Sequence, residues 1–278
     1  HIDTKGVSNA RNYGLCISKG QFVCFVDVDD QISPDYLMSL HSSITSNNSD
    51  IALCNYYEVR GNKEEEVKLP DEDDEVYNHS FIVNTLIPSF TNCDIFHSNL
   101  TMGVVWRSLF RKEFLNGNQL SFDNKLTIAE DLIFCIDSYS KAQSMSCVNL
   151  PLYKYIIRRD SSLRIKKKRS YVDEGKYFNT IIRNKLRRIG IEDRKSKVNS
   201  YVFGTYTRAA EIAADNNRLC EISEICEWFI EDYKINPFSK DEVRTKNRKL
   251  VFPFFLRKKV FLIFLLCKIR STYNNLRM

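Results

Sequence analysis

Along the first sixty positions, the pattern of apolar residues alternates between that of a helix and that of a strand. Over residues 8–19 they follow helical spacing, which predicts an amphipathic helix. Residues 21–27 form an almost continuous run of aromatic and β-branched side chains, the pattern of a strand buried on both faces. A second helix over 34–45 and a second strand over 50–57 follow. Helix, strand, helix and strand in this order predict an α/β sheet.

The middle of the chain continues this alternation in shorter segments. Residues 61–75 are acidic and nearly free of apolar side chains, which predicts a solvated loop or hairpin tip. The remaining patterns predict helices over 80–87 and 129–142, and strands over 102–106, 144–148 and 152–157.

The C-terminal part changes to helical spacing throughout. Three segments, 170–189, 197–216 and 220–233, predict a small helical bundle. We therefore expect an α/β region over 1–165 and a helical, basic region over 166–278. The segment 251–278 has six basic and no acidic residues, but its longest apolar run is far below the roughly 20 residues that span a bilayer. Two interpretations stay open for it: a helix docked on the protein, or an anchor at a membrane surface.

Composition limits the choice of protein class. Apolar residues make up 43% and charged residues 27% of the 278 positions, as in an ordinary globular protein. The net charge of +6 is unevenly distributed, with −10 over residues 1–153 and +16 over 154–278. The basic half indicates an anionic partner, for which nucleic acid, anionic lipid and acidic polysaccharide are candidates. Nine cysteines without a C-x-x-C pair favour reduced thiols in a cytosolic protein over disulfides or a zinc site.

Three carboxylates follow the first predicted strand. Asp27, Asp29 and Asp30 lie at its carboxyl end, the edge at which α/β sheets bind ligands. In an extended backbone, Asp27 and Asp29 project to the same side. Because crowded carboxylates repel one another, this pattern favours a divalent cation, Mg²⁺ or Mn²⁺. The alternative is an acidic turn in which Asp29 or Asp30 caps the next helix.

Four segments in order resemble family 2 glycosyltransferases of the GT-A fold. They are GVSNARNYGLCISKGQFVCFVDVDDQISPDYL, WRSLFRKEFL, LSFDNKLTIAEDLIFCIDSYSKA and LYKYIIRRDSSL, and together they cover about residues 5–165. The resemblance implies the inverting transfer of a sugar from a nucleotide-diphospho-sugar donor to a glycan or lipid-linked glycan, as in bacterial surface polysaccharide synthesis. The family's opening P-x-Y-N and V-D-D-x-S-x-D strands do not occur in this sequence. We therefore expect a sheet that lacks its first nucleotide-binding strands, a span of about 80 residues.

The resemblance also implies roles for individual residues. Asp27, Asp29 and Asp30 would hold Mn²⁺ or Mg²⁺ on the donor diphosphate. Asp131 would be the general base, with Glu130 beside it in the catalytic site. The donor would contact Ser8, Arg11, Asn12, Asp27 and Arg158, with Arg159 and Ser161 in a closing loop and Trp106 as a sugar platform.

Structural roles compete with several of these assignments. Arg11 could form an ion pair, Glu130 and Asp131 could stabilise the first turn of a helix, and Trp106 could belong to the core. For the whole protein, the competing classes are an inactive membrane-peripheral remnant and a nucleic-acid-binding protein. No nucleic-acid partner is expected, because only the basic half favours one. We expect a cytoplasmic protein whose basic half faces the inner surface of the cell membrane.

Overall fold

The computed structural model describes residues 6–70, 75–90, 103–158, 171–191, 195–243 and 246–276. These residues form two compact units, the first ending at residue 158 and the second described from residue 171 onward. The first unit is a mixed α/β structure and the second is helical. The predicted fold class, an α/β sheet with flanking helices followed by a helical region, is confirmed.

The first unit contains seven described strands. They are β1 (Phe22–Cys24), β2 (Gln31–Ile32), β3 (Ile51–Arg60), β4 (Lys63–Val67), β5 (Val76–Asn78), β6 (Ser108–Arg111) and β7 (Ser144–Ile156). Its helices are α1 (Val7–Ile17), α2 (Tyr36–Ser46), α3 (His79–Phe81), α4 (Ile87–Phe90), α5 (Lys112–Gly117) and α6 (Glu130–Tyr139). A π-helical turn, Ile82–Leu86, joins α3 to α4, and a 3-10 turn, Val105–Arg107, precedes β6.

The sheet is mixed, with the strand order β1-β6-β3-β7-β2. The long strands β3 and β7 pair in parallel, from Ile51 opposite Met145 to Val59 opposite Ile156. The other pairings are antiparallel, with β4 forming a hairpin on β3 and β5 adding to β7. The α/β arrangement predicted from the alternating periods is therefore present, with β3 and β7 at its centre.

The strand predicted over residues 21–27 is shorter and lies elsewhere in the sheet than expected. It ends at Cys24 and pairs with β6 alone, so it lies at one end of the described sheet and is only partly buried. The backbone N–H of Asp30 donates to the carbonyl of Asp27 at 3.1 Å, which closes a turn over residues 27–30, the acidic turn, two residues after the strand ends. The acidic residues therefore lie on a turn rather than on an extended strand.

Other boundaries differ for local reasons. The strands predicted over 144–148 and 152–157 are one strand, β7, because an irregularity in its pairing with β3 near Asn55 accommodates the interruption at residues 149–151. The acidic stretch 61–75 contributes β4 to a hairpin whose turn includes Gly61 at φ +59°. Where a strand was predicted over 102–106, the described residues 103 and 104 are irregular and lead into the 3-10 turn Val105–Arg107.

Helix α2 and the sheet share an aromatic core. Trp106 is only 3% exposed and stacks on Tyr153, with their ring centroids 4.3 Å apart. The ring of Tyr56 meets Trp106 edge-on at 4.7 Å, and the hydroxyl of Tyr36 donates to the carbonyl of Trp106 at 2.7 Å. This core fixes β7 against α2 and places Trp106 inside the protein.

The second unit is the predicted bundle. Its helices are α7 (Val172–Arg188), α8 (Lys195–Asp215), α9 (Leu219–Ile235), α10 (Lys246–Leu256) and α11 (Val260–Leu276). Phe203 and Phe229 lie at its centre and contact Phe252 and Phe255. Within the described ranges, no helix is both long enough and apolar enough to cross a membrane.

Candidate active site

Arg11 connects three separate segments of the first unit. Its Nη2 donates to Asp27 Oδ1 at 2.9 Å, and its Nη1 donates to Glu130 Oε1 at 3.1 Å. The guanidinium lies over the ring of Phe122, 5.4 Å from the ring centroid, and the side chain is only 12% exposed. Helix α1, the acidic turn and the start of α6 therefore meet at one positive charge.

Helix α1 presents three polar side chains on one face, because residues three and four apart are neighbours on a helix. Ser8 Oγ donates to the carbonyl of Leu126 at 3.3 Å. Asn12 donates to the carbonyl of Phe122 at 2.9 Å and accepts from its N–H at 2.8 Å. Ser8 and Asn12 thus hold the segment that leads into α6, and this places Glu130 opposite Arg11. Contact of Ser8 and Asn12 with a donor stays a prediction.

The start of α6 is held in an unusual backbone conformation. Ala129, which precedes the helix, has φ +61°, a left-handed conformation that costs a non-glycine residue energy. Glu130 is buried against Arg11, and Asp131 is partly buried. Asp131 Oδ1 accepts from the N–H of Leu132 at 2.8 Å. The two carboxylates predicted for catalysis therefore stand side by side in the first helical turn, near Asp27.

The charges at this cluster alter one another's proton affinity. Burial raises the pKa of Asp131, and the nearby positive charge of Arg11 opposes that increase. Burial alone would lower the pKa of Arg11, but the carboxylates of Asp27, Asp131 and Glu130 together raise it. Arg11 therefore stays charged and limits the rise in the pKa of Asp131 that burial causes.

Asp30 is bound to the sheet by two hydrogen bonds. Its Oδ2 accepts from the hydroxyl of Tyr153 and its Oδ1 accepts from the N–H of Ile156, both at 2.8 Å. The same hydroxyl accepts from the N–H of Asp27 at 3.2 Å. Burial raises the pKa of Asp30, and these two hydrogen bonds oppose that shift. Asp30 therefore fastens the acidic turn to β7.

The three carboxylates of the turn do not gather into one ligand set. Among the residues that the structure describes, no group of three or more His, Cys, Asp or Glu side chains could hold a metal ion. Both oxygens of Asp30 are engaged, and one oxygen of Asp27 pairs with Arg11. The partly exposed carboxylate of Asp29 forms no hydrogen bond or ion pair in the described chain. The oxygens that stay available to a cation are those of Asp29 and the second oxygen of Asp27. Mg²⁺ is commonly bound by one or two carboxylates together with phosphate and water, and the role of Asp27, Asp29 and Asp30 as metal ligands stays a prediction.

The remaining predicted residues lie outside this cluster of charges. Arg158 is exposed, and its Nη2 donates to the carbonyl of Asp29 at 3.1 Å, so it lies beside the acidic turn. Arg159 and Ser161 fall outside the described residues. The interpretation of Trp106 as a sugar platform is wrong, because its ring lies in the aromatic core.

Tyr153 was not identified from the sequence, although it belongs to the quoted segment LYKYIIRRDSSL. Its hydroxyl contacts both ends of the acidic turn, so Tyr153→Phe is expected to lower the free energy of unfolding by about 1.5–3 kcal/mol, the range for hydrogen bonds to charged groups. Urea denaturation measures this. Tyr155→Phe is the matched control, because Tyr155 also stacks on Trp106 but its hydroxyl forms no hydrogen bond in the described chain. Equal losses in the two variants would contradict this role of the Tyr153 hydroxyl.

A mixed sheet with an acidic turn after its edge strand, joined through Arg11 to the first of two adjacent carboxylates at a helix start, resembles the GT-A class of glycosyltransferases. Residues 1–116 match the family model described as Glycosyl transferase family 2. The chain is 28% identical over 164 residues to the "Putative glycosyltransferase EpsH" of Bacillus subtilis (strain 168), covering 58% of this chain and 44% of that protein. Over residues 1–116 the chain is therefore similar to glycosyltransferase family 2, and the resemblance seen in the sequence is confirmed for that part of the chain.

Relatives with more specific names are also similar. Over 156 residues the chain is 27% identical to the "Poly(ribitol-phosphate) beta-N-acetylglucosaminyltransferase TarS" of Staphylococcus aureus (strain Mu50 / ATCC 700699), covering 56% of this chain and 24% of that protein. The crystal structure of S. aureus TarS 1–349 in complex with UDP-GlcNAc has the same fold, with a TM-score of 0.59 at 14% identity. That match covers 98% of this chain and 74% of the other. The chain spans less than half the length of these two curated relatives.

Proposed function

We propose that the protein transfers a sugar, with inversion, from a nucleotide-diphospho-sugar to a glycan or lipid-linked glycan of the bacterial cell surface. The observation that carries the proposal is that Arg11 contacts both Asp27 and Glu130. Glu130 lies 119 positions after Arg11 in the chain. This contact brings a candidate donor-binding turn next to a candidate base. The names of relatives that act on poly(ribitol-phosphate) support a surface polymer as the acceptor.

Asp131 is the proposed general base. Its carboxylate would accept the proton of the acceptor hydroxyl while the oxygen of that hydroxyl attacks the anomeric carbon and the diphosphate leaves from the opposite face. Burial raises the pKa of Asp131 toward the working pH, which improves a base. The neighbouring Glu130 is buried in its ion pair with Arg11, so we assign it the role of positioning Arg11.

The donor diphosphate would lie against the acidic turn. Asp27 and Asp29 would hold Mn²⁺ or Mg²⁺, a Lewis acid that stabilises the charge of the leaving diphosphate. Arg158, exposed beside Asp29, would contribute a positive charge on the same side. Ser8 and Asn12 hold the segment before α6, and their direct contact with the donor stays part of the proposal. The site would face the cytoplasm, where nucleotide-sugars are made.

The test is turnover of a panel of nucleotide-sugars by the purified protein, with and without Mn²⁺. We expect release of the nucleoside diphosphate from one donor, stimulated by Mn²⁺. Asp29→Ala is expected to lower the rate by about 100-fold or more, comparable to the loss of one preorganised electrostatic group. The matched control is Asp35→Ala, since Asp35 is exposed at the start of α2 and forms no capping hydrogen bond.

Two outcomes would contradict parts of this proposal. Undiminished, Mn²⁺-stimulated activity of Asp29→Ala would refute the assignment of Asp29 as a metal ligand while leaving the transferase assignment intact. A folded protein that turns over no donor and binds none would favour the inactive remnant instead.

A further inference from the structure

Helix α11 has an apolar face that points away from the bundle. Its exposed large side chains are Phe261 at 66%, Leu262 at 40%, Leu265 at 44% and Ile269 at 58% exposure. At 100° per residue, these four positions fall within an arc of about 100° on the helix surface. No charged residue lies within this arc.

The opposite face of α11 is buried. Ile263 and Cys267 are buried within the second unit. Lys268 lies at the edge of the apolar arc, where its Nζ donates to the carbonyl of Ala214 at 3.0 Å. The helix is therefore docked by one face, and its apolar residues also cover the face turned to solvent. A surface helix of a globular protein normally presents polar residues there.

Positive charge accompanies this apolar face. Residues 243–278 contain ten Lys or Arg and no Asp or Glu. Lys258 pairs with Glu227 and Arg270 pairs with Glu211, so their charges are compensated. Arg257 and Lys259, both exposed in the turn before α11, form no ion pair with residues that the structure describes.

We propose that α11 lies in the surface of an anionic lipid bilayer, with Phe261, Leu265 and Ile269 inserted between the headgroups. An apolar helix face next to uncompensated Lys and Arg is the combination that binds anionic membranes. A second copy of the chain fits less well, because two such surfaces would bring like charges together. At 17 residues, α11 is about 26 Å long, which suits a helix lying in the surface rather than crossing it.

Co-sedimentation with vesicles tests this proposal without any nucleotide-sugar. We expect the protein to bind vesicles of phosphatidylcholine and phosphatidylglycerol in equal parts, and to bind phosphatidylcholine vesicles at least about tenfold more weakly. The double substitution Phe261→Ser and Ile269→Ser should weaken binding to the mixed vesicles by at least about tenfold, since two exposed apolar side chains are lost. Arg257→Gln with Lys259→Gln should remove most of the preference for phosphatidylglycerol.

The controls distinguish binding through this apolar face from non-specific adsorption of the protein to vesicles. Leu219→Ser with Ile235→Ser removes two exposed apolar side chains from α9, of which Ile235 is 80% exposed, and should leave binding unchanged. Circular dichroism should show unchanged helicity in every variant, because the replaced side chains are exposed. Absence of vesicle binding, or binding equal for both lipid compositions, would overturn the proposal. Dimers that form without lipid and are lost in Phe261→Ser with Ile269→Ser would reassign the face to a second copy.

Discussion

Asp131→Asn is expected to lower kcat by about 10²–10⁴-fold, the usual contribution of a general base. The substitution retains the size of the side chain and an oxygen that can accept from the N–H of Leu132, so the start of α6 should remain formed. The measurement is kcat for the donor found in the nucleotide-sugar panel, with its acceptor. Asp137→Asn, farther along the same helix, is the control and should retain activity.

The pH dependence gives a second readout of the same residue. A general base acts in its deprotonated form, so kcat should fall as the pH decreases through the pKa of Asp131. Because burial raises that pKa, the decline should begin above the range of an ordinary aspartate, about 3.9. A profile without this acidic decline, or an Asp131→Asn variant with undiminished kcat, would contradict the assignment of Asp131 as the base.

Arg11→Ala is expected to lower the free energy of unfolding by about 3–5 kcal/mol, as when one partner of a buried ion pair is removed. The substitution leaves Asp27 and Glu130 without their shared positive charge. Urea denaturation measures the loss. Arg60→Ala is the control, because Arg60 pairs with Glu58 at the surface and its loss should cost about 1 kcal/mol or less.

The pH dependence of the stability loss caused by Arg11→Ala distinguishes loss of the positive charge from loss of side-chain packing. Without Arg11, the pKa of Asp131 in the folded protein should rise further above its unfolded value. A carboxyl group with a raised folded pKa destabilises the fold above that pKa, and this penalty disappears below its unfolded pKa. The loss caused by Arg11→Ala should therefore be larger at pH 8 than at about pH 4, near the unfolded pKa of an aspartate. An equal loss at both pH values would mean that packing against Phe122 accounts for the effect.

Much of the architecture could be predicted from the periodicity of apolar residues, because a long amphipathic segment is compatible with few structures other than a helix. The helical patterns over 8–19, 129–142 and 170–189 correspond to α1, α6 and α7. The first strand was predicted too long, because an apolar run does not show where pairing stops. Pairing stops at Cys24, and the turn that follows depends on Tyr153, more than 120 positions away.

The sequence predicted which residues form the candidate site better than it predicted what each of them does there. The ordered motifs identified Arg11, Asp27, Glu130 and Asp131, and the structure brings these four together. The sequence could not show that Asp30 would accept hydrogen bonds from β7, or that Ser8 and Asn12 would hold the segment before α6. Such partners are fixed by tertiary contacts between distant segments.

The parallel pairing of β3 with β7 also sets a condition on how the chain folds. Ile51 and its partner Met145 are 94 positions apart, and β7 pairs with β2 and β5 as well. At about 5–20 residues per second of synthesis, the ribosome completes β7 roughly 5–20 s after β3. During that interval the β7-facing edge of β3 has no strand to pair with, so the emerging chain exposes a row of unpaired backbone N–H and C=O groups along a strand whose side chains are largely apolar. The sheet is therefore completed late, when β7, the last strand of the first unit, pairs with β3.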